Sequence, residues 1–313
     1  MDFPIAEFMD EGACSEKLVG LLHPDGLACP RCGGRDGLKV HRRHRAPVLD
    51  YRCNTCGRVF NAFTDTTFHK THRPPSEILL ILRGISQGET TARLARELKR
   101  HRQHLLKLRH RLQEAAFKAA GPLPLDDQAV EADEMYQNAG KKGIPHTDPL
   151  DPPRRRANQR PGHGTRDNDR PPVAGVVGRE SGLLRLRVVD RADGPPLREF
   201  VRRMTWPPVL VYTDEWAAYD RLPELARWHA TVCHAERQWA RDEDGDGVNE
   251  VHDNTLEGIW TGLRNHLRKF RGVNKTDLAQ YVAVFLWAYN IKAVTDEYLQ
   301  ALMSVKVLTD GRT

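Results

Sequence analysis

The stretch Val209–Asp220, VLVYTDEWAAYD, decides how the rest of the chain is read. Residues 208–213 form an apolar, β-prone run that ends on a carboxylate, Asp214. A strand ending this way delivers its last side chains to the mouth of its sheet. Upstream, 129–133 (AVEAD) is a second short apolar run closing on a carboxylate, Asp133. If the two strands are neighbours, Asp133 and Asp214 leave the same sheet edge. Downstream, 252–260 (HDNTLEGIW) adds Asn254 and Glu257, three residues apart at the start of a helix and therefore on one face. A lone Asp after a strand is usually a loop or capping residue, and Asn254 or Asp253 with Glu257 also makes a helix cap. Two such strand ends followed by an acid-bearing helix are more telling, because metal-assisted phosphoryl transfer needs several hard oxygen ligands in one place. Capping and ligation are compatible, and either Asn254 or Glu257 completes the set.

A second metal signal lies near the N-terminus. Cys29-Pro-Arg-Cys32 and Cys53-Asn-Thr-Cys56 form two Cys-x-x-Cys pairs with twenty residues between them, each followed by a glycine, Gly33 or Gly57. Four thiolates at this spacing suit one tetrahedral structural Zn²⁺, with 38–40, 50–52 and 59–63 as the strands of a zinc ribbon. A filled thiolate shell holds the fold and leaves no open position for chemistry. Cys14 and Cys233 suggest no disulfide.

Between these signals, 74–120 turns helical. Ser76 is expected to cap a helix running to Gln87, and leucines at 94, 98, 105, 108 and 112 stand among basic residues, with a break near 99–101 that gives a helix-turn-helix-like pair. From Glu89 to Lys118 there are nine Lys/Arg against three acids, and from Asn138 to Pro172 eight against four. Gly121-Pro-Leu-Pro124 ends the helical segment. The organisation expected is a lead-in helix and zinc ribbon (1–72), a helical DNA-binding segment (73–121) and a catalytic domain (122–313) carrying a mobile basic insertion (138–172). In that domain, 173–178 and 183–189 read as a hairpin turned at 179–182. Residues 197–204, 216–225, 254–270 and 276–291 read as helices. The class is α+β or α/β, a mixed sheet covered by helices. Asp242-Glu-Asp-Gly-Asp-Gly247 imitates a calcium loop, but Asn249 and Asp253 depart from that pattern, and the turn reads as solvated acid.

The 48 Lys+Arg against 42 Asp+Glu give +6, a weak tilt toward a polyanionic partner. No run approaches a membrane span, the acidic N-terminus lacks a signal-peptide layout, and a cytoplasmic protein without membrane contact is expected.

Taken together, CPRC and CNTC, VEADEMY, VYTDEWAAYD and HDNTLEGIWTGLRNHLRKFRG closely resemble bacterial insertion-sequence DDE-type transposases with an ISXO-type catalytic domain and an N-terminal zinc ribbon. The resemblance spans most of the chain, and His252, Asn254, Glu257 and Trp260 are its most specific part. It implies an RNase H-like catalytic domain in which Asp133 and Asp214 bind catalytic Mg²⁺ or Mn²⁺. The third position falls on Asn254 or the neighbouring Glu257, with Arg264 further along the helix as a DNA contact. It further implies terminal inverted repeats and target DNA as partners, and a homodimer or higher assembly on DNA. Arg154, Arg155 and Arg156 in the insertion are candidate backbone contacts. The insertion is longer than the family pattern leads one to expect. The competing readings are a non-catalytic DNA-binding regulator descended from a transposase and a metal-dependent RNase H-like nuclease.

Overall fold

The computed structural model describes residues 10–119, 123–150, 163–233, 236, 238, 240–242, 247, 251–252, 254–291 and 295–303. Arg154, Arg155 and Arg156, and most of the acidic turn at 242–253, lie outside them. The chain divides into two compact units, one formed by 1–120 with 291–313 and the other by 121–290. Residues 295–303, read from the sequence as part of the catalytic domain, cluster with the N-terminal unit.

In the first unit, α1 (Glu11–Leu22) is capped by Asp10, whose carboxylate accepts from the Ala13 amide at 2.7 Å. An antiparallel sheet in the order β1 (Leu38–Arg42), β2 (Asp50–Cys53) and β3 (Val59–Asn61) follows. Three helices come next: α2 (Pro75–Ser86), α3 (Thr91–Glu97) and α4 (Arg102–Ala119). The cap expected of Ser76 does not form. The helix begins at Pro75, whose fixed φ suits the first turn, and the Ser76 hydroxyl donates to Glu11 instead. Between α3 and α4 the chain turns through Lys99 at φ 50°, giving the expected break. Gly84 on α2 lets the pair approach, since a Cβ there would meet Leu94 at 2.4 Å. Helix α8 (Asp296–Met303) packs on α4 and α1, with Lys17 Nζ 2.6 Å from Asp296.

The second unit is built on a five-stranded mixed sheet. Its strands are β4 (Ala129–Tyr136), β5 (Pro172–Gly178), β6 (Leu184–Val188), β7 (Val209–Thr213) and β8 (Arg227–Thr231), in the order β6-β5-β4-β7-β8. β4 to β6 are antiparallel, whereas β7 and β8 run parallel to β4. This is the mixed sheet covered by helices that the order of elements in the sequence predicts. One face is covered by α5 (Gly194–Met204), whose Leu197, Phe200 and Val201 bury against Val130, Ala132, Val176 and Val211. α6 (Asn254–Arg268) packs on β4 and β5, and α7 (Leu278–Asn290) on β6.

One expectation fails here and one strand is new. Residues 216–225 are turns with a short 3-10 segment at Pro223–Leu225, because the Asp214 carboxylate accepts from the Trp216 amide (3.0 Å) in an Asx-type turn and Pro223 follows. β8, missed in the sequence, is a five-residue edge strand whose Trp228 is exposed, so it shows no alternation to read. The insertion flanks are fixed: Lys142 Nζ donates to the carbonyls of Phe270 (2.6 Å) and Gly272 (2.7 Å), and Lys275 lies 3.0 Å from Asp169.

Candidate active site

The β4/β7 pairing is parallel, with Val130 opposite Val211 and Glu131 opposite Tyr212. Continuing that register by two residues brings Asp133 level with Asp214, so the two strand-end carboxylates do leave neighbouring strands at one edge. Residues two apart on a strand share a face, and β4 uses both faces at this point. Glu131 and Asp133 face α6, whereas Glu134 faces the α5 side, where Tyr219 Oη donates to its carboxylate at 2.8 Å and Tyr136 Oη at 3.2 Å.

Helix α6 is seated by two contacts to β4. The fully buried Glu131 carboxylate accepts from the Thr255 amide (2.9 Å), the Thr255 hydroxyl (2.8 Å) and the Leu256 amide (3.3 Å), taking up donors that the first helical turn leaves open. Arg179 Nε lies 3.2 Å from the same carboxylate, its guanidinium over the Tyr212 ring at 3.8 Å, and it donates to the His252 carbonyl at 2.6 Å. One turn further on, Trp260 Nε1 donates to Asp133 Oδ2 at 2.5 Å. The helix advances about 7 Å between those two contacts and the strand about 7 Å from Glu131 to Asp133, so α6 runs alongside β4. Gly175, the cross-strand partner of Asp133, makes room for the indole: a Cβ there would stand 2.6 Å from the Trp260 ring.

This placement bears on Asn254 and Glu257. Asn254 is the first helical residue, level with Glu131 and exposed, so it is not the cap. Glu257, also exposed, stands one turn before Trp260 and about 60° from it around the helix, whereas Asn254 is about 120° away and nearly two turns off. Arg264 is exposed on the same helix and lines a cleft of about 430 Å³ with Arg268, Tyr136 and Asn138.

The carboxylates crowd one another. Asp133 titrates well above the usual carboxylate range, first through burial and then through the charge of Glu134, with Asp214 adding to it. Burial likewise pushes Glu134 up to about 7, and Asp214 contributes. Like charges collected in a partly dry place are what a divalent cation relieves, so the donor set fits Mg²⁺ or Mn²⁺ in kind. Among the described residues, however, Asp133, Asp214 and Glu257 do not form a group with all ligand atoms within 4.8 Å.

The four cysteines do. Cys29, Cys32, Cys53 and Cys56 place all four sulfurs within 4.8 Å of one another, with Cys29–Cys56 at 3.5 Å and Cys32–Cys53 at 3.6 Å. Zinc–sulfur bonds of ~2.3 Å in a tetrahedron separate sulfurs by about 3.8 Å. The two knuckles share one backbone plan: Gly33 and Gly57, at φ 72° and 71°, each donate to the carbonyl of the first cysteine at 2.9 Å. The cluster could hold zinc.

A family model of the ISXO2-like transposase domain matches residues 124–290, just over half the chain and nearly the whole second unit. The chain belongs to the ISXO2-like transposase family. A Halobacterium salinarum relative, described as an uncharacterized protein in transposable element ISH50, is 28% identical over 284 residues, 90% of this chain and 92% of that protein. Weaker overlaps are found with solved structures. A chain of the simian T-cell lymphotropic virus intasome in complex with PP2A regulatory subunit B56 gamma shows 15% identity over 54% of this chain and 49% of that one, with a TM-score of 0.31. The Mos1 strand transfer complex shows 10% identity over 74% and 76%, with a TM-score of 0.29. Within this transposase domain, sequence reasoning missed Glu131, Glu134, Gly175 and Arg179. For Glu131 a signal existed, since the two-residue period of VEADEMY puts it on the face of Asp133. The others depend on partners 40 or more residues away.

Among the described residues, no helix is long and apolar enough to cross a membrane.

Proposed function

We propose that the chain is a DNA transposase that binds the terminal inverted repeats of its element and cuts and joins DNA strands with divalent metal held at Asp133, Asp214 and Glu257. The observation that carries this reading is the level placement of Asp133 and Asp214 on adjacent parallel strands, with α6 docked onto Asp133 through Trp260. Membership in the ISXO2-like transposase family supports this reaction class. Asn254, the alternative third ligand, is disfavoured by its position two turns back.

Bound metal would supply Lewis acidity at the scissile phosphate and lower the pKa of the attacking hydroxyl. The protein's own part is positional. Glu131 and Trp260 fix α6 beside β4, so that Glu257 is carried along the sheet edge on which the aspartates stand. Arg264 and Arg268 offer cations beside the strand end, where a phosphate strand leaving the site would run. Tyr136 and Tyr219 hold Glu134 by hydrogen bonds, keeping a third carboxylate oriented beside the aspartates without exposing it fully to water. The zinc ribbon and the α3–α4 pair serve as the end-binding part, and the assembly on DNA is a dimer or larger, since two ends must be brought together.

The test uses purified protein, Mg²⁺ or Mn²⁺ and DNA carrying the element's flanking repeats, with strand-transfer products resolved on a gel. Asp214→Asn is expected to lower the joining rate by about 10³-fold, the loss of several kcal/mol of metal-borne stabilisation, without loss of fold. Equal activity in Asp214→Asn would sink the metal site. Cleavage independent of the repeats, without joining, would mark a nuclease, and repeat binding without cleavage a regulator.

A further inference from the structure

We propose that the cleft in the N-terminal unit between residues 67–73 and the solvent face of α4 is a binding site for the phosphate backbone of duplex DNA. The proposal rests on the reading of the chain as a DNA-handling protein and locates the contact. The cleft encloses about 460 Å³, and nine of its thirteen lining residues are Lys, Arg or His, with no Asp or Glu among them.

The charges within it fall into two groups. Arg73 and Arg100 share one carboxylate, which offsets one of their two charges: Glu77, buried at the start of α2, receives the Arg100 guanidinium through Nε (3.1 Å) and Nη2 (2.7 Å), and Arg73 as well. That triad ties the 67–73 segment to the turn before α4 and fixes the width of the cleft. Lys70, Lys107 and Arg111, all exposed, make no ion pair among the described residues and are the cations left for a ligand. His104, Lys107 and Arg111 succeed one another at roughly one helical turn, about 5.4 Å, opposite the buried Leu105 and Leu112. Such a row follows a strand of phosphates.

The opposing wall is rigid. Lys70 is held at φ 57°, a conformation that a lysine keeps only where its surroundings impose it, and the Thr71 carbonyl is tied by Arg45 Nη2 at 2.9 Å. The only Phe, Tyr or Trp of the lining, Phe68, is buried, so the cleft offers none of these rings as a platform for an unpaired base. Duplex backbone is therefore the ligand chemistry it suits, ahead of single strands.

The experiment measures binding of the full-length, zinc-loaded chain to a fluorescent mixed-sequence duplex across a NaCl series. The Lys107→Gln/Arg111→Gln variant is expected to lower the slope of log K against log salt by about 2, and the affinity by about 60-fold at ~0.1 M salt. Lys17→Gln, on α1 outside the cleft and paired with Asp296 at 2.6 Å, is expected to leave the slope unchanged. Should the double variant fail to match wild type in zinc content and thermal unfolding, Lys70→Gln is read instead, with an expected slope change of about 1. Wild-type binding with an unchanged slope in the cleft variants, an equal change in Lys17→Gln, or tighter binding of single-stranded DNA or duplex RNA overturns the cleft assignment and leaves the transposase reading standing. A wild-type chain that binds no duplex at any salt defeats the DNA reading itself.

Discussion

The two candidate metal sites of this chain are built on opposite plans. In the N-terminal unit the four cysteine sulfurs already stand within 4.8 Å of one another, whereas among the described residues of the second unit Asp133, Asp214 and Glu257 do not all come that close. The difference follows from where each site's order comes from. A Cys-x-x-Cys-Gly knuckle is a local backbone device, and two of them facing across a small sheet need little else. The carboxylates come from a strand end, another strand end and a helix that begins 40 residues after Asp214, and their charges repel. They are held near one another by a scaffold that is not itself a ligand: Glu131 under the first turn of α6, Arg179 on Tyr212, and Trp260 lying over Gly175. The cysteine cluster closes on its own residues and could hold zinc, whereas the carboxylate site proposed above depends on elements far apart in the chain.

The largest effect that tests this contrast is removal of zinc. Structural sites of this kind draw about 10–16 kcal/mol from the metal, more than a three-stranded sheet of this size supplies by burial. Chelation, or Cys53→Ser, is expected to unfold the ribbon, seen as proteolysis within 23–73 and the loss of one zinc per chain. All six tryptophans lie in the second unit, so their emission should hardly change. A shift of tryptophan emission on chelation would show that the second unit also depends on the zinc.

The same contrast explains what could be read from sequence. The ribbon was legible because its ligands lie within two four-residue motifs with fixed spacing. Asp133 and Asp214 were legible because an apolar run ending on a carboxylate is a local pattern, and α6 because its apolar period is strong. What escaped depends on distant partners. The two-residue period puts Glu131 on the face of Asp133, but its part as the acceptor under α6 shows only when that helix comes to rest on it 124 residues later. Residues 216–225 read as a helix, but the Asp214 side chain turns the backbone first. β8 lies at the sheet edge with one large side chain in water, so no burial pattern marks it.

A smaller effect separates scaffold from ligands. Glu131→Ala removes the acceptor of two helix amides and one hydroxyl and leaves the mostly buried Arg179 without its carboxylate, so a loss of about 3–5 kcal/mol is expected. Urea unfolding followed by tryptophan emission reads it directly. Asp214→Asn, by removing a repelling charge, should cost no stability in the same assay. An alanine variant within 1 kcal/mol of wild type would mean that the apolar face of α6 alone holds it to the sheet.

The finest distinction is in pH. Glu134, raised from 4.5 to about 7, binds its proton more tightly folded than unfolded. Its contribution is therefore fully present below the unfolded value and is lost as pH rises through the folded one. Against Glu134→Gln, which stays neutral, the metal-free wild type should fall behind by roughly 2–3 kcal/mol between about pH 4.5 and 8, and any pH dependence of the zinc site cancels in the difference. Mg²⁺ or Mn²⁺ should narrow that gap, because a cation among the carboxylates lowers their proton affinity, while extra Zn²⁺ bound only at the cysteines should not. Parallel pH curves for the two proteins would mean that the carboxylates are already relieved in the folded chain, and the second site would then be as closed as the first.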